Sequence, residues 1–189
     1  PIDSLQFTQN ILFSGLKYLN DNLNVDNIDV ICICGNHGRT TNKVQYSNYT
    51  AVSYETILYT SLSQMCESTK LNKINFIIPK SAMAIIEIFG KKYMFAHGMQ
   101  FKYNSGIGGI YIPMLKWALR MISQFGLTKI FIGHWHTLLN IPEIAVNGSV
   151  IGYNARSMNF GLTYEPPQQS LILINEKRGF VNHQPIYLE

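Results

Sequence analysis

The sequence predicts an α/β fold, in which helices alternate with short buried strands and mixed sheets are flanked by helices. Apolar residues recur at helical spacing in three segments, and short, nearly continuous apolar runs between them are typical of buried strands. The composition, 47% hydrophobic and 14% charged, supplies a core and excludes a disordered chain. At 189 residues the chain has the length of one ordinary domain, so we expect residues 1–189 to form a single domain.

The first half of the chain alternates between the two patterns. Residues 5–23 predict a helix that an Asn/Asp-rich stretch, residues 20–27, brings to an end. Residues 28–34 predict a buried strand, and residues 49–66 predict a second helix. Three strand-like segments follow, separated by Pro-Lys and Gly-Lys-Lys breaks, at residues 74–78, 84–89 and 93–96.

The second half continues the alternation and ends in extra strands. A glycine-rich loop over residues 104–109 precedes a strong helix over 111–125, for which Gly126 is a suitable stop. Residues 129–132 predict another buried strand. A terminal hairpin is predicted on either side of a Glu-Lys-Arg-Gly turn, with strands at residues 170–175 and 180–188.

Several classes of protein are excluded by simple counts. No apolar run reaches the roughly 18 to 20 residues that a bilayer span requires, so no membrane partner is expected. The 3 cysteines make no disulfide framework, and Cys32 and Cys34 are expected to be buried on one face of a strand. We therefore expect a reducing, cytoplasmic compartment. The net charge of +4 allows an anionic partner without requiring one.

Histidine is the sharpest signal in the sequence. Four of the 5 histidines lie in glycine-containing segments at the exits of predicted strands, in Gly35-Asn36-His37-Gly38, Ala96-His97-Gly98 and Gly133-His134-Trp135-His136. In an open α/β sheet these exits form the ligand crevice, so the imidazoles should converge. Neutral imidazole with an amide oxygen suits zinc, manganese or iron. His183, in the terminal hairpin, is interpreted as a structural residue.

The order of these motifs resembles the GNH, H and GHxH motifs of the calcineurin-like metallophosphoesterases, and the resemblance runs from residue 30 onward. Residues 35–41 and Val146-Asn147-Gly148-Ser149 resemble a narrower branch that is encoded by bacteriophages and akin to DNA-repair exonucleases. The resemblance implies an αββα sandwich of mixed sheets flanked by helices. It also implies an enzyme that hydrolyses phosphate esters, as a phosphodiesterase or nuclease, with a water activated by two metal ions.

The resemblance assigns a role to each matching residue. It implies that Asn36, His97 and His134 ligate one divalent metal and that His136 ligates the other. Manganese is the expected metal, with zinc or iron as alternatives. His37 would act as a general acid or stabilise charge on the phosphoryl group, since imidazole titrates in the right range.

The sequence departs from that family in its carboxylates. Every aspartate lies in the first 29 residues, at Asp3, Asp21, Asp26 and Asp29. The family's first two motifs, Asp-x-His and Gly-Asp, do not occur, and the chain begins with Pro1 rather than Met. We interpret the chain as the C-terminal part of a metallophosphoesterase domain that lacks its N-terminal strands, with one half of the metal site incomplete. Little or no phosphoesterase activity is expected of this polypeptide by itself.

The expected substrate is a phosphodiester, with DNA among the candidates. Arg39 follows the Gly-Asn-His-Gly segment and favours contact with a substrate phosphate, whereas Lys43 and Lys102 fit solvated surface charges as well. Residues 106–109 are a weak phosphate-loop signal. Trp135 is interpreted as a pocket wall rather than a base-stacking platform.

Two alternatives to the enzyme stay open. One is a catalytically inactive binding or scaffolding module on the same fold. The other is a mononuclear structural zinc site built from His97, His134 and His136. The sequence does not choose an oligomeric state, and a homo-oligomer is one option.

Overall fold

The computed structural model describes residues 2–102, 108–159, 161 and 163–188. The chain divides into two compact units, Pro1–Ala84 and Ile85–Glu189, and each combines helices with a sheet. The predicted α/β class, with mixed sheets flanked by helices, is therefore confirmed. The expectation that residues 1–189 make one domain stays a prediction.

The first unit is a helical pair beside two parallel strands. Its elements are α1 (Ile2–Asn22), β1 (Ile28–Ile31), α2 (Tyr54–Ser68) and β2 (Ile74–Ile77). Strands β1 and β2 pair in parallel, with Ile28 opposite Ile74. Helix α2 buries Leu58, Leu62 and Cys66, whereas α1 buries no side chain. The core of this unit therefore lies between α2 and the strands.

The second unit is built on a mixed five-stranded sheet. Its elements, counting β3 across the boundary, are β3 (Met83–Ile88), β4 (Lys91–Ala96), α3 (Tyr111–Phe125), β5 (Lys129–Ile132), β6 (Leu139–Ile141), β7 (Ile144–Val146), α4 (Ala155–Asn159), β8 (Gln168–Asn175) and β9 (Gly179–Tyr187). The strand order is β3-β4-β5-β7-β6, with β4, β5 and β7 parallel and β6 antiparallel to β7. Strands β8 and β9 form a separate antiparallel pair.

The core of the second unit is centred on β5, which is buried at all its positions. Tyr93, Phe131 and Ala145 form a buried cluster against which Ile172 and Phe180 of the terminal hairpin pack. Helix α3 buries Met114, Trp117 and Ala118. The continuous apolar run that identified β5 in the sequence is thus the run of a strand covered on both faces.

Most element predictions are confirmed within a few residues, and two differences are instructive. Helix α2 begins at Tyr54 rather than at residue 49, because Tyr49 is buried in a preceding turn where its hydroxyl donates to the Cys34 carbonyl at 3.1 Å. Strands β6 and β7 and helix α4 were not predicted. They span only three to five residues each, too few to show a period.

The three cysteines are free and buried. The burial predicted for Cys32 and Cys34 is confirmed, although β1 ends at Ile31 and both follow the strand. Burial raises the pKa of the Cys32 thiol to about 12, so this thiol stays protonated and behaves as a small apolar side chain. Over the part of the chain that the structure describes, every helix falls short of the length or apolarity that a membrane crossing requires.

Candidate functional site

His97 and His134 lie side by side at the carboxyl ends of two neighbouring parallel strands. His97 directly follows β4 and His134 follows β5, and the last residues of these strands, Ala96 and Ile132, are register partners. Nε2 of His97 lies 3.0 Å from Nδ1 of His134, and the two rings meet edge to face with centroids 4.7 Å apart. The sequence-based expectation that imidazoles from different strand exits converge holds for this pair.

The two loops that carry these histidines are joined by direct hydrogen bonds. The Gly133 amide donates to the His97 carbonyl at 3.0 Å, and the indole N–H of Trp135 donates to the Gly98 carbonyl at 2.9 Å. Gly98 has a φ of 110°, and a Cβ at this position would lie 2.8 Å from the Gly133 carbonyl oxygen. Only glycine allows this close approach of the loops.

The backbone of the Gly-His-Trp-His segment is strained. His134 has a φ of 69° and His136 a φ of 55°, which is the left-handed region that few residues other than glycine adopt. The Trp135 amide donates to the Gly133 carbonyl at 2.8 Å, closing a tight turn around His134 of the rare kind with a positive central φ. Strain of this kind persists only where the surroundings hold it, and it clusters at functional sites.

Trp135 connects the strained turn to the core. Its ring stacks on Phe101 with centroids 5.0 Å apart, and Phe101 in turn lies 5.8 Å from the ring of Trp117 in α3. One face of the indole is therefore covered, and its N–H is already bonded to Gly98. This environment supports the interpretation of Trp135 as a wall rather than a stacking platform.

Polar contacts in the second unit hold the residues that precede β6 and follow β7. The Leu138 amide donates to both carboxylate oxygens of Glu165, at 3.1 and 2.8 Å. Oδ1 of Asn147, in the Val-Asn-Gly-Ser segment, accepts from the Ser170 backbone amide at 2.8 Å. The backbone amide of Asn147 donates to the Ile132 carbonyl, at the end of β5, at 2.7 Å. These contacts give Glu165 and Asn147 supporting roles.

Asn36, His37 and Arg39 lie in the first unit, in the loop that follows β1. The loop is fastened to the segment before α2, since the Thr40 amide donates to the Val52 carbonyl and the Tyr54 amide to the Gly38 carbonyl, both at 2.8 Å. His37 is exposed, whereas Asn36 and Arg39 are half-buried. An exposed imidazole on a fastened loop can meet a ligand from solvent.

Arg39 has a structural contact as well as a free donor. Its Nη1 donates to the Asn36 carbonyl, which braces the loop. Its Nε is buried and, among the described residues, has no hydrogen-bond partner. Lys43 and Lys102 are exposed, in keeping with solvated charges. Of the glycine-rich loop, residues 103–107 lie outside the described residues.

Glu55, which the sequence analysis missed, lies against the loop that carries Asn36 and His37. Its carboxylate accepts a hydrogen bond from the Gly35 amide, and a Cβ on Gly38 would lie 2.6 Å from Glu55 Cγ. Burial raises the pKa of this carboxyl, while the Gly35 amide and the charge of His37 lower it. A helix that began at residue 49, as predicted, would place Glu55 in its interior, whereas the observed start at Tyr54 places Glu55 in the first turn.

The donor set was tested against the divalent metal that the motifs imply. Two nitrogens about 2.1 Å from one tetrahedral metal lie about 3.4 Å apart, so the 3.0 Å between His97 Nε2 and His134 Nδ1 requires only a small opening of the pair. Over the residues that the structure describes, however, no three His, Cys, Asp or Glu side chains are grouped to hold a metal. The mononuclear zinc site of His97, His134 and His136 is therefore not found, and the two-metal centre stays a prediction.

Comparison with known proteins adds a few distant neighbours. No family model matches the sequence, and no curated protein matches it. An archaeal phosphodiesterase structure is 14% identical over 92% of this chain and 74% of its own, with a TM-score of 0.46. Vps29 of Entamoeba histolytica in complex with Zn²⁺ is 16% identical over 90% of this chain and 88% of its own, with a TM-score of 0.41.

A third neighbour is Vps29 of Cryptosporidium parvum, 12% identical over 85% of this chain and 96% of its own, with a TM-score of 0.38. Identities and scores this low decide nothing about the activity or substrate of this chain. The narrower bacteriophage branch is not confirmed by these neighbours.

Proposed function

We propose that the chain contributes to a metal-dependent phosphoesterase of the phosphodiesterase or nuclease type. The observation that carries the proposal is the 3.0 Å approach of His97 Nε2 to His134 Nδ1 at adjacent strand ends, within the motif order Gly-Asn-His, His-Gly and Gly-His-x-His. Strand ends of this kind are where α/β sheets bind ligands. The strained turn at His134 supports the same interpretation.

His97 and His134, with Asn36, are the residues proposed to hold one divalent cation, and His136 is the residue proposed for a second. When bound, such cations polarise phosphoryl oxygens and lower the pKa of a metal-bound water. Because imidazole and amide ligands are neutral, they leave the cation's charge uncompensated. We therefore expect weak metal binding and slow turnover, with manganese the expected ion and zinc or iron as alternatives.

His37 and Arg39 are proposed to contact the substrate. The exposed His37 ring is suited to donate a proton to the leaving oxygen. Arg39, which is half-buried, would supply positive charge beside a phosphate oxygen, while its Nη1 keeps the loop in shape through the Asn36 carbonyl. A phosphodiester is the substrate class that these donors suit, with DNA as one candidate.

Turnover of bis-p-nitrophenyl phosphate over a range of Mn²⁺ concentrations tests the proposal. We expect at most slow, Mn²⁺-dependent hydrolysis by this polypeptide, and H97A and H134A should abolish whatever hydrolysis is seen. H37A should lower kcat by about 10²-fold, the usual contribution of a general acid, without changing the Mn²⁺ dependence. H183A is the matched control. His183 is hydrogen-bonded to Ser170 in the terminal hairpin, so its replacement should not change the rate of hydrolysis.

A binding or scaffolding module on the same fold is the second candidate. The missing Asp-x-His and Gly-Asp motifs and the lack of a three-residue acidic or histidine group among the described residues favour it. Mn²⁺ binding that depends on His97 and His134 without any Mn²⁺-dependent hydrolysis would support this candidate over the enzyme.

A further inference from the structure

The carboxylate of Glu55 touches both ends of the loop formed by residues 35–38. At one end it accepts a hydrogen bond from the Gly35 amide. At the other end it fills the space beside Gly38, where a Cβ would lie 2.6 Å from Cγ and 2.9 Å from Oε1 of Glu55. Asn36 and His37 lie between these two points. The contact therefore spans the part of the loop that carries the proposed site residues.

The position of Glu55 is itself held firmly. Ser53 caps α2, and its hydroxyl accepts from the Glu55 amide at 3.2 Å. Glu55 thus lies in the first turn of the helix, where the unpaired amides and the helix dipole favour a negative charge. The hydrogen bonds from Thr40 to Val52 and from Tyr54 to Gly38, both 2.8 Å, attach the loop to the same helix start.

A carboxylate in this place is costly for the fold alone. It is half-buried, and burial disfavours its charged form. The charge of His37 offsets this cost only in part, since burial has the larger effect on the pKa of the Glu55 carboxyl. A neutral acceptor would accept the Gly35 hydrogen bond without the cost of burying a charge. The use of a carboxylate here therefore suggests a role in function as well as in folding.

We infer that Glu55 is a positioning residue for the loop of residues 35–38, holding its backbone so that Asn36 and His37 present their side chains in one arrangement. The inference rests on the proposed function for its effect on hydrolysis, but the positioning itself can be measured without any activity. The group that matters is the acceptor oxygen on Gly35. Glutamine, which keeps that oxygen at the same reach, should restore what alanine loses.

Amide hydrogen exchange of the metal-free full chain, followed by NMR, tests the positioning directly. In E55A the Gly35 amide should exchange at least about tenfold faster than in the wild type, and in E55Q it should exchange at nearly the wild-type rate. E67A is the matched control, because Glu67 is an exposed acid near the other end of the same helix. Unchanged Gly35 exchange in a folded E55A would overturn the inference.

Hydrolysis of bis-p-nitrophenyl phosphate with Mn²⁺ tests the consequence. Loss of a residue that orients a site typically costs 10- to 100-fold, roughly, in activity. We expect E55A to lose this much in kcat with little change in KM, and E55Q to recover most of it. A wild-type chain with neither Mn²⁺ binding nor hydrolysis would count against the proposed function, while the exchange rates would still decide on Glu55. An E55A defect that E55Q does not rescue would contradict positioning through the acceptor oxygen.

Discussion

His97 Nε2 and His134 Nδ1 are hydrogen-bonded across the ends of β4 and β5 at 3.0 Å. In the absence of a cation one of the two nitrogens carries the proton and the other accepts it. A metal ligand needs a lone pair on each nitrogen, so a cation that binds both must displace that proton to another ring position or to solvent. The pair is therefore a defined starting point for measuring metal binding.

Replacing either histidine of this pair should weaken binding of Zn²⁺ or Mn²⁺. We expect H97A and H134A each to lower the affinity by more than about tenfold, because each removes one of two converging nitrogens. Isothermal titration calorimetry of the full chain measures this. H183A should leave the affinity unchanged, and an equal loss in H183A would show that binding occurs elsewhere on the chain.

Replacing Gly98 by alanine should destabilise the second unit. The new Cβ would lie 2.8 Å from the Gly133 carbonyl, and the residue would keep a φ of 110°. We expect the free energy of unfolding to fall by more than about 1 kcal/mol, measured by urea denaturation. Gly15, on the exposed side of α1 with nothing within 4 Å, is the control. There alanine should raise stability by roughly 0.5–1 kcal/mol, and a loss in G15A equal to that in G98A would refute the steric explanation.

Lys129 should make the stability of the chain depend on alkaline pH. Its side chain is buried, Nζ donates to the Ile141 and Pro142 carbonyls at 2.5 and 3.0 Å, and it lies 4.2 Å from the centre of the Phe180 ring. Burial lowers the pKa of Lys129 below its usual 10.5, and the charge of Glu143 opposes this shift only in part. At pH values between this lowered pKa and 10.5, Lys129 is therefore protonated more fully in the unfolded chain than in the folded one.

Because the unfolded state binds more protons in that interval, the contribution of Lys129 to stability rises as pH increases toward 10.5 and is lost as pH falls through the lowered value. Urea denaturation of the wild type and of K129M from pH 7 upward isolates this contribution, since methionine does not titrate. We expect the free energy of unfolding of the wild type, relative to that of K129M, to increase as pH rises. A difference that stays constant over the series would mean that Lys129 titrates alike in both states.

Gly38 and Glu55 should be energetically coupled. The three atoms nearest to a Cβ on Gly38 all belong to Glu55, so G38A should displace the carboxylate from Gly35 and destabilise the wild type. In the E55A background the obstacle is gone, and G38A should cost less. A double-mutant cycle by urea denaturation should give a coupling of about 0.5–3 kcal/mol, the range for residues in contact. Additive effects would show that the two residues do not share the contact.

Elements with a strong local pattern could be predicted from the sequence. Helix α3 and strand β5 have the bounds that the apolar spacing indicates, and Gly126 ends α3 in the left-handed conformation with a φ of 64°. The start of α2 was wrong, because apolar spacing does not distinguish a helix from a turn that buries Tyr49. Strands β6 and β7 have only three residues each, and they form because β5 offers an edge, which is a property of the fold.

The candidate site could be predicted only in part. The glycine-flanked histidines indicated strand ends, and parallel register does bring His97 to His134. The left-handed backbone at His134 and His136 could not be predicted, because the motif letters do not reveal a positive φ. Glu55 was not predicted as a site residue, because its contacts with Gly35 and Gly38 join positions that are far apart in the chain.

The left-handed backbone at His134 and His136 limits how this loop can evolve. Asparagine and aspartate, like histidine, adopt that conformation more readily than most residues other than glycine, whereas a β-branched residue there is a clear outlier. A histidine codon becomes an asparagine or aspartate codon through a single change of its first base. At the positions proposed as metal ligands, such a change replaces an imidazole nitrogen by an oxygen donor. One base change at either position would thus place a carboxylate beside the remaining imidazoles, which are neutral.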